Sequence, residues 1–255
     1  MNIVIEYIKY RWNAKKRHGI HSPFIYEFSD VCLSLNIPDR IKTKRAKILS
    51  NIKKSGETLT ITDLGAGSVK MSRKRSVKDI LKYSSSKGKW GELLYRLCLH
   101  YQPKNILEFG TSLGIGTWHM HEGNPDAKLI SIEGCPETNG AMKRLTGPFL
   151  NSNVELTCSS FDTYLELATP IKFDLIFVDG HHDGHALLRY MEKLALFSHE
   201  ETIFVLDDIR WSSSMHKAWS QLKNETDFHV SIDLFRLGIL VKRPSQEKEH
   251  FTLRL

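Results

Sequence analysis

The chain holds only four cysteines in 255 residues, Cys32, Cys98, Cys135 and Cys158, and no two of them form a C-x-x-C pair. That scatter excludes a disulfide framework and a zinc knuckle as the basis of the fold, and all four read as small buried apolar residues. No apolar run approaches the roughly 20 residues a membrane helix needs, and the opening MNIVIEYIKYRWNAKKRHG has neither a signal-peptide core nor a small-residue cleavage site. A cytoplasmic protein with no membrane partner is expected. Internal repeats and low-complexity tracts are absent as well. Acidic residues are scarce in the first hundred positions, 8 against 21 Lys and Arg, whereas the rest of the chain holds 21 acidic and 15 basic residues. The overall charge of +7 therefore divides into +13 and −6. A basic half can attract nucleic acid, an anionic membrane or an acidic substrate, and it can equally be a set of solvated helix faces.

What is present is ordinary globular material, 41% hydrophobic and 25% charged, enough for one sizeable domain plus an extension. From Asn105 onward short apolar runs alternate with helical stretches, as a parallel sheet with crossover helices requires. Strands are predicted at KNILEFG, AKLISIEG, NVELTCS, FDLIFVDG and TIFVLDD. Between them lie the helical candidates GTWHMHEG, CPETNGAMKRLTG and HALLRYMEKLALF, the last with Leu187, Leu188, Met191, Leu194 and Ala195 at helical spacing. FHVSIDLFRLGILVKR reads as an antiparallel hairpin that closes the sheet. The predicted fold is α/β, a Rossmann-like doubly wound sheet over residues 89–255. Residues 1–88 are predicted as a mainly helical extension, with helices near 2–14, 24–35 and 39–53, one strand and turn in LTITDLGAGS, and a basic loop after it.

Two glycine-rich loops compete for a cofactor: TITDLGAGSVK and NILEFGTSLGIGT. A nucleotide-type pocket also needs an acid at the tip of the next strand, about 20 residues on, to hold ribose hydroxyls. Glu133 stands 17 residues beyond Gly116, so the second loop meets that requirement. The first is followed by Lys70, Arg73, Lys74 and Arg75 and by no acid at a strand end. It is read instead as part of the extension, carrying basic residues toward the mouth of the pocket. Gly110, Gly114 and Gly116 form G-x-x-x-G-x-G, not the dinucleotide pattern, and Glu108 lies two residues before the first glycine. An acid there would repel a pyrophosphate. It suits a cofactor with an amino group, a sulfonium and no phosphates, which points to S-adenosylmethionine; the bland alternative is a tight strand-to-helix turn.

These residues resemble the class I S-adenosylmethionine-dependent methyltransferases, in particular the catechol-type and sugar-type O-methyltransferases, over roughly residues 90–243. ILEFGTSLGIGT is similar to their first motif, LISIEG to the ribose-binding motif, FDLIFVDGHH to the fourth, IFVLDDI to the next, and SIDLFRLGILVK to their terminal hairpin. RHGIHSPF and DLGAGS are similar to the N-terminal extension of uncharacterised bacterial members. The resemblance implies that Glu108, Gly110 and Ser112 line the methionine end of the cofactor, that Glu133 binds its ribose, and that Ser160 and Phe161 lie near the adenine. Many relatives carry Gly-Asp where this chain has Ser159 and Ser160.

In this family's strand order the fourth and fifth strands are neighbours, about 5 Å apart, so Asp179 and the Asp207–Asp208 pair end on one rim. Three such carboxylates suit Mg²⁺, and the metal-dependent members carry acids at the same places. The competing reading makes Asp179 a turn cap and Asp207–Asp208 the start of a helix. His182, three residues after Asp179, matches the general base of a comparable D-x-x-H in the sugar-type enzymes. His181 competes with it, and His181, His182 and His185 together do not have standard zinc spacing. His18 and His21, near Trp12, Phe24 and Tyr26, are candidates for a substrate lid or for local backbone order. Tyr83, Ser84 and the helix start KWGELL are further candidates beside the cofactor.

The expected activity is O-methylation of a small polar hydroxylated acceptor assisted by Mg²⁺. One alternative is a nucleic-acid methyltransferase holding phosphates with the basic extension, disfavoured because VDGHH is not the Asn/Asp-Pro-Pro-aromatic motif of base methylation. Another is a cofactor-binding protein of the same fold without turnover. A homo-oligomer is left open, and the acceptor is not legible, because specificity resides in loops.

Overall fold

The computed structural model describes residues 2–14, 22–61, 74–83 and 86–255. Its first stretch runs through helices α1 (Ile3–Asn13), α2 (Pro23–Phe28, continued by a π-helical turn, Ser29–Leu33) and α3 (Asp39–Lys54), strands β1 (Thr58–Thr60) and β2 (Lys74–Ser76), and helix α4 (Val77–Tyr83). Strands and helices then alternate: α5 (Lys89–Tyr101), β3 (Asn105–Phe109), α6 (Ile115–Gly123), β4 (Lys128–Glu133), α7 (Pro136–Leu145), β5 (Val154–Cys158), α8 (Phe161–Leu167), β6 (Phe173–Val178), α9 (Gly184–Leu194), β7 (Ser198–Leu206) and α10 (Ser213–Leu222). The chain ends in β8 (Val230–Asp233), β9 (Gly238–Val241) and β10 (Glu249–Thr252).

Eight strands form one sheet in the order β10-β8-β9-β7-β6-β3-β4-β5. All pairings are parallel except those of β9, which runs antiparallel to both β7 and β8. The predicted parallel strands and terminal hairpin are all present. β10 is an addition: its four residues, EHFT, bury one large apolar side chain, Phe251, and so carry almost no alternating signal. The central strands are near-continuous apolar runs because helices cover both faces. Ile106 and Leu175 face a core shared with Leu93, Leu97 and Met120 of α5 and α6, while Leu107 and Ile176 face the opposite core, with Tyr190 of α9 and Trp219 of α10.

The N-terminal stretch has no separate core among the described residues. Phe24, Ile25 and Phe28 enter the first sheet core, and Ile41, Ile48 and Ile52 of α3 pack with Leu59, Val77, Tyr95 and Trp118. Ion pairs reinforce the docking, Lys44 to Glu122 at 2.9 Å and Arg45 to Glu92 at 2.7 Å. Two local expectations change. Lys74–Ser76 is not a loop but pairs antiparallel with Thr58–Thr60, because the partner strand supplies order that a basic tripeptide does not encode. Cys158 is exposed, since it ends the edge strand β5, while the other three cysteines are buried. Among the described residues no helix is long and apolar enough to cross a membrane.

Candidate active site

Chain direction through the sheet reverses between β3 and β6: β4 and β5 follow to one side, β7 to the other. Open α/β sheets bind ligands at such a switch point, beyond the carboxyl ends of the strands, where the two sets of loops part. A cavity of about 230 Å³ lies there, with Gly110 and Ser112 after β3, Glu133 at the tip of β4, Ser160 and Phe161 at the start of α8, and Asp179, Gly180 and His181 after β6. Six of the residues expected around the cofactor or on the metal rim therefore share one wall.

Backbone geometry explains why the loops part here. Gly110 has φ +102°, and a Cβ on it would lie 2.0 Å from the Asp179 carbonyl oxygen, so only glycine lets the β3 and β6 exits cross this closely. The Glu133 carboxylate accepts 2.9 Å hydrogen bonds from the backbone N–H groups of Ser112 and Cys135, with the Gly134 N–H as a further donor, and these fix its direction. Burial raises its pKa, and those N–H donors oppose the rise. Phe161 stacks on Phe109, ring centroids 4.6 Å apart, and the Ser160 hydroxyl caps α8 by accepting from Thr163 N–H at 3.1 Å. The flat Phe161 ring with Ile61 and Ile80 makes an apolar slot suited to a nucleobase, and Glu133 suits a pair of ribose hydroxyls. These residues fit S-adenosylmethionine.

The roof comes from the extension. Ile61, Arg75 of β2 and Ile80 of α4 close the cavity, and Thr60 N–H donates to Glu137 while Arg144 meets Glu57 at 2.5 Å. Arg75 is thus one basic residue of the stretch after the first glycine loop that reaches the pocket; Lys70, Arg73 and the DLGAGS turn lie outside the described residues, as do His18, His21 and Ser84. Lys74 and Tyr83 are exposed. Residues the sequence did not single out here are Ile61, Ile80, Gly134, Cys135, Thr138 and Gly180. Only tertiary contact gathers them, although Gly134 and Gly180 do follow the two acid-tipped strands.

Glu108, Gly114 and Gly116, also expected beside the cofactor, are not among the residues that line the cavity. Glu108 is 1% exposed and accepts from the hydroxyls of Thr117 and Ser131, both at 2.5 Å. Register explains the second contact, because Glu108 pairs with Ser131 across β3 and β4. Burial pushes the Glu108 carboxyl up to about 7, with the two hydroxyls pulling it down and Glu133 adding to the rise. Gly114 caps α6, and a Cβ on Gly116 would lie 2.8 Å from the Glu108 carboxylate.

A second cavity, about 570 Å³, opens on the far side of β6 and β7, lined by Ile3, Trp90, Asp208, Arg210, Trp211, Phe235 and Arg236 among others. Trp90 belongs to the KWGELL helix start that the sequence flagged. His181 and His182 part between the two cavities. The His181 ring meets the Tyr190 hydroxyl through Nδ1 and lines the first cavity. His182 Nε2 lies 3.8 Å from Asp208 Oδ2, and its ring faces Trp211 at 5.6 Å. Burial lowers the His182 pKa, Asp207 opposes, and Arg236 and His181 assist, so the imidazole is neutral near pH 7. Ser112, His181, Asp208 and Phe235 all have φ between 49° and 72° without being glycine. Such strain costs on the order of 1–3 kcal/mol per residue; these four border the two cavities, while Gln102 and Arg243 share the conformation away from them.

The acidic rim differs from an open metal site. Asp207 and Asp208 do not start a helix, since α10 begins at Ser213 with Ser212 as its cap. Arg236 donates to both oxygens of Asp207, at 3.0 and 3.3 Å, and its Nε lies 3.1 Å from Asp208 Oδ1. Asp179 acts on the same guanidinium electrostatically. Burial and the Asp207 charge raise the Asp208 pKa. No cluster of three or more His, Cys, Asp or Glu side chains able to hold a metal exists among the described residues, and His185 is exposed on α9. The residues present do not fit a divalent cation, so the expectation of Mg²⁺ finds no support in this geometry.

Residues 107–209 match the sequence profile of a family described as "Methyltransferase domain". A catechol O-methyltransferase of Niastella koreensis is 33% identical over 133 residues, which is 49% of this chain and 57% of that protein. The chain thus spans little more than half the length of that curated relative. Among solved structures, an O-methyltransferase from Bacillus cereus in complex with SAH aligns with TM-score 0.58 at 16% identity, over 85% of this chain and 96% of the other. The O-methyltransferase TomG from Streptomyces achromogenes, in complex with SAM, aligns with TM-score 0.54 at 18% identity, over 89% and 99%. Likeness at such low identity establishes the fold.

Proposed function

We propose, from the match of residues 107–209 to a methyltransferase domain and from the strand order of the sheet, that this protein is an S-adenosylmethionine-dependent O-methyltransferase acting on a small hydroxylated acceptor. The observation that carries the reading is the position of His182, which follows His181 of the switch-point pocket wall and lies beside Asp208 and Trp211 of the second cavity. The bound cofactor would supply an electrophilic methyl on a sulfonium. Glu133 would hold the ribose, Phe161 with Ile61 and Ile80 would flank the adenine, and Trp90, Trp211 and Phe235 would wall the acceptor. Neutral His182 takes the acceptor's hydroxyl proton on Nε2 as the oxygen forms its bond to the methyl carbon. The bound cofactor would complete the balance of that displacement, its sulfur keeping the electron pair of the broken sulfur–methyl bond.

Calorimetric titration with S-adenosylmethionine, followed by mass spectrometry over a panel of hydroxylated aromatic and sugar acceptors, tests this directly. The expected result is saturable binding that Glu133→Ala abolishes or weakens, and a product one methyl group heavier. No binding to the wild-type chain would sink the proposal.

A further inference from the structure

We propose that the Arg236 guanidinium fills the cation position of the acidic rim, so that Asp207 and Asp208 are balanced from within the chain and methyl transfer here needs no metal ion. Three observations carry this. Arg236 engages both Asp207 oxygens and approaches Asp208 at 3.1 Å, which is the charge-assisted fork that makes arginine–carboxylate pairs both strong and directional. The Asp207 side chain is 1% exposed, whereas Mg²⁺ dehydrates reluctantly and keeps several waters, so the carboxylate offers no room for a hydrated ion. The arginine is also anchored by its own backbone: its N–H donates to Leu234 O and its carbonyl accepts from Ile209 N–H, each at 3.0 Å. Those bonds tie the β8–β9 turn to the residue that follows Asp208.

Arg236 and Asp208 both line the second cavity, so the positive charge stands where an acceptor oxygen would lose its proton. It thereby does what a metal would do for that oxygen, holding negative charge without leaving the chain. This last consequence rests on the methyltransferase reading; the exclusion of a cation does not.

The test is Mn²⁺ titration of the chelator-treated full-length chain, with free ion followed by electron paramagnetic resonance. Wild type and Arg236→Lys are expected to leave the free-ion signal undiminished. Arg236→Ala, which uncovers two neighbouring carboxylates, is expected to bind Mn²⁺ at least about tenfold more tightly than wild type, and adding Asp207→Asn should remove the gain. Mn²⁺ binding by the wild type that Asp207→Asn or Asp208→Asn abolishes would overturn the proposal, as would a folded Arg236→Ala that gains no affinity. Should Arg236→Ala not fold by its thermal melt, the wild-type and Asp207→Asn titrations still decide. A parallel titration with S-adenosylmethionine separates the two claims, because failure to bind cofactor sinks the methyltransferase reading and leaves the cation result standing.

Discussion

His182 Nε2 stands 3.8 Å from Asp208 Oδ2, whereas the adjacent His181 turns its ring to Tyr190 and the switch-point cavity. Two neighbouring imidazoles are thereby given separate surroundings, and their variants should separate kinetically. His182→Gln is expected to lower kcat by about 10²–10⁴-fold with cofactor affinity unchanged, the range for losing a general base. His181→Ala is expected to weaken cofactor binding and to spare kcat at saturation. Since burial holds His182 below the ordinary imidazole value, wild-type activity should persist below pH 6.5 and fall only as the pH drops through that lowered pKa. Stopped-time assays across pH, paired with calorimetry, check all three.

Arg75 lies in the wall that also holds Gly110, Ser112 and Glu133. Placed there, it bears on the cofactor rather than on acceptor charge alone, as its position in a basic run first implied. Arg75→Glu should change the dissociation constant for S-adenosylmethionine by roughly tenfold, given the worth of a hydrogen bond to a charged group in a half-buried wall. A change confined to the acceptor KM would contradict that placement.

Glu108 is a carboxyl raised to about 7 by burial. The folded chain binds its proton more tightly than the unfolded chain, whose glutamates titrate near 4.5, so this group's stabilising contribution is present below 4.5 and is lost as pH rises through 7. Glu108→Gln keeps the shape and the neutral form, with Thr117 and Ser131 still in reach. It should raise the ligand-free Tm at pH 8 and leave it little changed at pH 5, with a gain on the order of 2 kcal/mol. Denaturant melts at the two pH values test the sign.

The α6 residue His119 is fully buried; its Nδ1 lies 2.7 Å from Ile115 O, and Nε2 has no hydrogen-bond partner. Desolvation lowers its pKa to about 3, Arg45 adds to that, and the Ile115 hydrogen bond opposes. Unfolded chains take up the proton near 6.5, so stability is complete above 6.5 and declines as pH falls toward 3, by up to about 1.4 kcal/mol per pH unit for this one group. His121, His182, His216 and His250 shift in the same direction, and His119→Gln should therefore flatten the slope of unfolding free energy between pH 6.5 and 5 without abolishing it.

Much of this architecture is legible in the chain because each central strand is an apolar run ended by an acid or a glycine, and both features are local. Glu133 could be picked out by its distance from Gly116, and it does line the cavity. Glu108 looked equivalent in one dimension. It faces inward because the β3–β4 register sets it opposite Ser131, and register is a property of two strands together. β10 and the β1–β2 pair were missed for the same reason, as their residues acquire strand geometry only from a partner.

By itself the sequence determined the succession of strands and helices, the switch-point loops and the acids at the strand tips, since alternation of apolar residues and placement of glycine act within a few positions of one another. Tertiary structure alone decided which of those acids line a cavity. Three aspartates read along the chain as an open cation site, but Arg236, 29 residues beyond Asp207, folds back onto them through the β8–β9 turn. A charge so distant in sequence has no local signature, and only closure of the hairpin brings it within 3.0 Å of its carboxylate.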